Sequence, residues 1–156
     1  MKIDEKQRMI LRLIQSNGRL SSKEIAKRIN APVTTAFTRV KKMEEHGIII
    51  GYKAVLDSRK LGQPATAFIF ASFSQPASQE GSETQKRIEN QIAKHPMVQE
   101  VHTITGDWDM VIKVKGKDVD EMSNFVMNNL RTMNGIEKTL TCIVFRTAKE
   151  STDIAV

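Results

Sequence analysis

SSKEIAKRINAPVTTAFTRVKKMEEHGIII, residues 21 to 50, reads as two short helices joined by a tight turn. Ser21 can accept a hydrogen bond from the amide three residues on while Glu24 reaches back, a capping box that starts the first helix of the pair. Ile25 and Ile29 then give that helix an apolar face at i, i+4 spacing. Asn30 tolerates a left-handed backbone and can make the turn, and Pro32 suits the first turn of the next helix, where its missing amide proton costs nothing. Along that second helix Ala36, Val40 and Met43 share one face, while Thr34, Thr35, Thr38, Lys41 and Lys42 share the opposite one with Arg39 beside them. One face packs inward and the other is free to meet a partner, the arrangement of a helix-turn-helix that offers its second helix to the major groove of DNA.

Cations on the outer face of an amphipathic helix ordinarily mean only a solvated surface. The distribution of charge argues for more. Residues 1 to 62 carry 14 Lys and Arg against 6 Asp and Glu, whereas residues 63 to 156 carry 10 against 12, so the net +6 of the chain is concentrated around the helix pair. Positive charge segregated in this way is the electrostatic footprint of a polyanion partner, here double-stranded DNA.

Working outward, a first helix is expected from Asp4, its N-cap, to Ser16, with Ile10, Leu13 and Ile14 facing the core and Asn17-Gly18 ending it. Gly47 closes the third helix, Ile48 to Val55 reads as an extended connecting strand, and the turn-rich DSRKLGQP at Asp57 to Pro64 marks a boundary. The expected division is 1–62 for the three-helix unit with its strand and linker, and 63–156 for a second domain.

From Ala65 the periodicity changes. ATAFIFASF reads as a strand, Glu83 to Lys94 as a helix with Ile88, Ile92 and Ala93 inward, Val98 to Ile104 and Asp109 to Val114 as strands, and Asp118 to Arg131 as a helix with Val119, Met122, Phe125, Val126 and Leu130 inward. Lys138 to Phe145 completes β-α-β-β-α-β, so the fold class is α+β, with a ferredoxin-like sheet domain after the helix-turn-helix. Phe68 and Phe70 lie on one side of the first strand and Ile69, Ala71 and Phe73 on the other, and Ile143, Val144 and Phe145 repeat the pattern. Helices can cover only one side of such a sheet, and the remaining apolar face implies a homodimer.

No apolar run approaches the ~20 residues of a membrane span, and charge interrupts the N-terminal MKIDEKQRMI, which is not a secretory signal. The single cysteine, Cys142, sits in the apolar run LTCIVF and is expected as a buried small hydrophobe. These features point to the cytoplasm and to a nucleoid-associated protein. Catalysis has little support: His46, His95 and His102 show no ligand spacing for a metal, no phosphate-binding glycine loop is present, and the paired Asp107 and Asp109 are commonly turn-makers. No cofactor, metal or catalytic residue is therefore expected.

Several separate stretches, in order from Ile3 to about Thr147, resemble the Lrp/AsnC (leucine-responsive, asparagine-responsive) family of transcription regulators: the ID-x-x-x-x-x-IL-x-L-I-Q opening at Ile3 to Gln15, GR-x-S-x-x-E-I-A-x-R-I at Gly18 to Ile29, RVKKMEEHGII followed by GY from Arg39, and TGDWDMVIKV at Thr105 to Val114. The resemblance implies DNA binding by paired helix-turn-helix units, dimerisation through the sheet domain (the RAM module) and assembly of dimers into tetramers or octamers. It also implies an amino-acid effector bound near the loop Thr105, Gly106, Asp107, Trp108 and Asp109, with Thr139 and Thr141 of the last strand helping. Gly106 would let backbone amides approach a carboxylate, and an aspartate could pair with an α-ammonium. Three places depart from the family pattern: Pro32 replaces a serine at the start of the recognition helix, the loop Ser74 to Ser82 is longer and more polar, and Trp108 is bulky for an effector loop.

On this reading Lys23, Arg28, Arg39, Lys41 and Lys42 supply phosphate contacts, while Thr34, Thr35 and Thr38, with Arg39 able to reach guanine, read base edges. The alternative function is an oligomeric architectural DNA-binding protein with little sequence preference and no effector, its TGDWD loop purely structural.

Overall fold

The computed structural model describes residues 2–74 and 79–156. Helices α1 (Glu5–Ser16), α2 (Ser22–Arg28) and α3 (Val33–Glu45) come first, followed by β1 (Ala65–Phe73), α4 (Gln79–Ile92), β2 (Val98–Thr103), β3 (Met110–Gly116), α5 (Val119–Phe125) with a π-helical turn at Val126–Leu130, and β4 (Ile136–Ile143). The chain packs as two units, Met1–Val55 with Lys149–Val156, and Leu56–Ala148. This differs from the expected 62/63 division in two ways. The turn after Asp57 closes on itself through Leu61 N–H to Asp57 O at 3.2 Å and Gln63 N–H to Ser58 O at 2.7 Å, and belongs with the sheet. The C-terminal segment belongs with the helices, because Gln15 Nε2 donates to Ile154 O at 3.0 Å, Ile154 N–H donates to Gln15 Oε1 at 2.8 Å and Arg12 Nε donates to Val156 O at 2.7 Å.

The starts of α1 and α2 are held by capping boxes. Gln7 N–H donates to Asp4 Oδ1 at 2.8 Å and Asp4 N–H donates to Gln7 Oε1 at 2.9 Å; Ser21 N–H donates to Glu24 Oε2 at 2.8 Å and Glu24 N–H to Ser21 Oγ at 3.3 Å. Asn30 makes the turn with φ 48°, as its short polar side chain allows. The core is Ile10, Leu11, Ile25, Ala26, Ile29, Ala36 and Met43. On α1 the buried partner of Ile10 is Leu11; Leu13 and Ile14 pack from the rim because the helix meets its neighbours along the 7/10/11 side. Ile48 to Val55 pairs with no strand among the described residues, so the expected connecting strand is absent from it.

The second unit is a four-stranded antiparallel sheet in the order β2-β3-β1-β4, the ferredoxin-like arrangement. Ala67, Ile69, Ala71 and Phe73 of β1 and Met110, Ile112 and Val114 of β3 are buried with Ile88 and Ile92 of α4 and Met122, Phe125, Val126 and Leu130 that follow. Two expected core residues are outside: Ala93 lies past the end of α4 and is exposed, and Val119, the first residue of α5, is 55% exposed. The helix α4 begins at Gln79, four residues before the expected Glu83; residues 75–78 of the polar loop lie outside the described residues. The π turn, closed by Arg131 N–H to Val126 O at 2.9 Å, stands in what the apolar pattern presents as one continuous helix.

Candidate functional site

Helix α3 carries the outward face the sequence predicts. Ala36 and Met43 are fully buried and Val40 half-buried, which leaves Thr34, Thr38, Lys41 and Lys42 exposed and Thr35 half-buried at the edge. Lys23 and Arg28, on α2, are exposed too. Pro32 occupies the N-cap with no side-chain hydrogen bond to the first amides of α3. The other end is closed by Gly47 at φ 66°, whose amide donates to Glu44 O at 2.9 Å. Phe37 is a residue the sequence reading passed over: it is 56% exposed, between the core stripe and the Lys41 side of the helix. The signal was present, since a large apolar residue one position away from the buried Ala36 cannot share its face.

Arg39 is not free on that surface. Its Nη1 donates to Asp4 Oδ2, so the residue expected to meet phosphate and guanine ties α3 to the first helix. The guanidinium beside Asp4 holds that carboxyl below the usual carboxylate range, with the Gln7 amide adding to the effect.

In the sheet unit the five loop residues Thr105 to Asp109 have distinct roles. Gly106 takes φ 117°, a conformation that favours glycine, although open space surrounds it. Thr105 and Asp107 are exposed at the tip. Asp109 is a fastener: its carboxylate accepts from Phe73 N–H at 2.8 Å, its amide donates to Ala71 O at 3.1 Å, and its carbonyl accepts from Ile104 N–H at 2.8 Å. Trp108 folds down onto the open sheet face, with its ring 6.2 Å from Phe70 and 5.1 Å from Lys138 Nζ.

Register decides which β4 residues can join this loop. Residues paired across an antiparallel ladder point the same way. Lys138, Leu140 and Cys142 pair with Ser72, Phe70 and Phe68 and share the open face with Trp108, whereas Thr139 and Thr141 pair with the buried Ala71 and Ile69 and point to the helix side. Thr139 and Thr141 are therefore not brought together with Trp108. Lys138 is: strand alternation puts it on the opposite face from Thr139, and pairing with Ser72 of β1 makes that face the one Trp108 lies on.

The open face itself has an apolar middle of Phe68, Phe70, Val111 and Leu140, Phe68 being 37% and Leu140 46% exposed. Beside it Lys113 Nζ bonds Glu100 Oε1 at 3.0 Å, an ion pair that holds Glu100 below the ordinary carboxylate range, and His102 Nε2 lies 3.3 Å from Glu100 Oε2. Cys142 is exposed on this face rather than buried, because β4 is an edge strand and Lys138, Leu140 and Cys142 turn away from the helices. Among the described residues no group of three or more His, Cys, Asp or Glu could hold a metal ion, and no helix is long and apolar enough to cross a membrane.

Comparisons with known proteins bear on both units. Residues 3–50 match a winged helix-turn-helix DNA-binding model and residues 66–154 match the Lrp/AsnC ligand-binding domain. An uncharacterised HTH-type transcriptional regulator of Pyrococcus abyssi is 33% identical over 148 residues, 95% of this chain and 96% of that protein. The HTH-type transcriptional regulator FL11 of Pyrococcus horikoshii is 31% identical over 154 residues, 99% of this chain and 97% of its own. Escherichia coli AsnC superposes with TM-score 0.86 at 25% identity, covering 98% of this chain and 99% of that one. A transcriptional regulator of Neisseria meningitidis in complex with L-methionine superposes with TM-score 0.89 at 25% identity, covering 98% and 96%. A helix-turn-helix followed by this ligand-binding domain, matched along nearly the whole chain, makes the protein a member of the Lrp/AsnC family of DNA-binding transcription regulators, which are not enzymes.

Proposed function

We propose that the chain binds operator DNA as a homodimer or a larger assembly of dimers and that an amino acid bound at the Thr105–Asp109 loop adjusts that binding. The observation that carries the first half is the exposed face of α3, where Thr34, Thr38, Lys41 and Lys42 stand clear of a core built on Ala36 and Met43. Lys23, Arg28, Lys41 and Lys42 meet phosphates and fix register; Thr34, Thr35 and Thr38 meet base edges. Phe37 adds an apolar contact suited to the C5-methyl of thymine. Synthetic duplexes in which deoxyuridine replaces thymidine test this directly: the wild-type protein should lose affinity at one step of its preferred site, and Phe37→Ala should be indifferent to the missing methyl. An equal response of both proteins removes Phe37 from the reading surface.

The neighbour solved with L-methionine supports an amino acid as the class of effector. Backbone amides around Gly106 suit its carboxylate and the exposed Asp107 suits its ammonium, while Trp108 walls the loop on the sheet side. Asp107→Asn should abolish the response of DNA affinity to amino acids and leave DNA binding in their absence unchanged. The dimer uses the open sheet face, whose apolar middle is the kind of surface a partner normally covers. Such a protein works in the cytoplasm, on the nucleoid.

A further inference from the structure

From the pairing of Asp4 with Arg39 we infer that Asp4 is a built-in competitor of DNA phosphate: it holds the Arg39 guanidinium on the protein, so that Arg39 makes no phosphate contact in the wild-type chain. Arg39 shares a strip of α3 with Thr35 and Lys42, at i, i+4 and i+7, and an arginine there is placed to swing toward a DNA backbone. Its side chain is only 27% exposed, however, and its Nη1 donates to Asp4 Oδ2. The acceptor cannot follow a moving arginine. The other oxygen of the same carboxylate, Oδ1, accepts from Gln7 N–H at 2.8 Å and is fixed to the start of α1 by the capping box. To reach a phosphate, Arg39 would leave a placed carboxylate with which its bond is charge-assisted, and the phosphate would approach a fixed negative charge.

The inference rests on the reading of α3 as the DNA-facing helix and assigns its cations unequal parts. Lys41 and Lys42 are exposed and project from the helix, so they carry the electrostatic attraction; Arg39 positions α3 on α1. Asp4 thereby lowers affinity for every sequence alike, since phosphate contacts carry no base information.

Four proteins and one measurement test this: affinity for a fixed duplex as a function of salt, for the wild type, Asp4→Asn, Arg39→Ala and the double variant. Asparagine serves as well as aspartate at a helix N-cap, so Asp4→Asn releases the arginine and keeps α1 capped. Each phosphate neutralised steepens the logarithmic salt dependence by about 0.9. Asp4→Asn should therefore bind more tightly with a slope steeper by about that amount. Arg39→Ala alone should leave the wild-type slope unchanged, and the double variant should return to it. A flatter slope for Arg39→Ala in the wild-type background would mean that Arg39 already touches phosphate. A steepening that survives in the double variant would trace the effect to the lost charge of Asp4, not to a released arginine. Either result overturns the inference. If none of the four proteins binds DNA, the reading of α3 fails first and the inference with it.

Discussion

Tyr52 donates its hydroxyl proton to Glu44 Oε1 at 2.8 Å and is pushed up to about 12, first by burial and then by the neighbouring carboxylate. Its stabilising contribution is fully present below pH 10, where an unfolded tyrosine still holds its proton, and is lost as the pH rises through the folded value. Because Tyr52 is the chain's single tyrosine, an ultraviolet difference titration reads it without ambiguity. The midpoint should lie well above 10 in the wild type and fall in Glu44→Gln. At Asp109 the expectation from sequence was a ligand partner, yet its carboxylate closes the partly buried amide of Phe73. Asp109→Ala should cost the sheet unit about 1–3 kcal/mol in urea unfolding. Asp109→Asn, which keeps an acceptor oxygen, should recover most of that stability. If the asparagine variant is as unstable as the alanine one, a bond other than that to Phe73 holds the loop.

At the level of elements, the turn between α2 and α3 depends on Asn30, whose φ of 48° puts a side chain in the left-handed region. Asn30→Gly should be tolerated. Asn30→Val should lose about 1–2 kcal/mol, read by thermal unfolding of the helix unit, because a branched Cβ crowds its own carbonyl there. Local rules made such features legible in sequence: the N-cap at Asp4, the capping box at Ser21, the positive-φ asparagine, and strand alternation through Phe68 to Phe73 all follow from neighbouring residues. What sequence left out depends on distant partners. The bond from Arg39 to Asp4 spans 35 positions, and the anchoring of residues 154 and 156 on α1 spans 139 and 144. The register that puts Lys138 rather than Thr139 beside Trp108, and Cys142 on the open face, is likewise set by pairing with β1. The π turn changes the helical pitch within an apolar stripe that looks uninterrupted.

For the whole molecule, the sheet unit covers one face with helices and leaves Phe68, Phe70, Val111 and Leu140 on the other. Burying such a face in a dimer would remove apolar surface from water at roughly 25 cal/mol per Å². Phe68→Glu should therefore shift the protein from dimer to monomer in sedimentation equilibrium while the unit stays folded, and DNA affinity should fall because paired half-sites are no longer held together. An unchanged mass would place the dimer contact elsewhere. Effector-controlled binding at defined sites is tested most directly by selecting genomic DNA fragments with the purified protein at near-physiological salt, with and without a pool of amino acids. Effector-controlled binding should yield a short palindromic site, with half-sites about one helical turn apart, whose occupancy changes when the pool is added. Broad recovery of unrelated fragments, unaffected by the pool, would contradict it and describe an architectural protein whose TGDWD loop is only a turn.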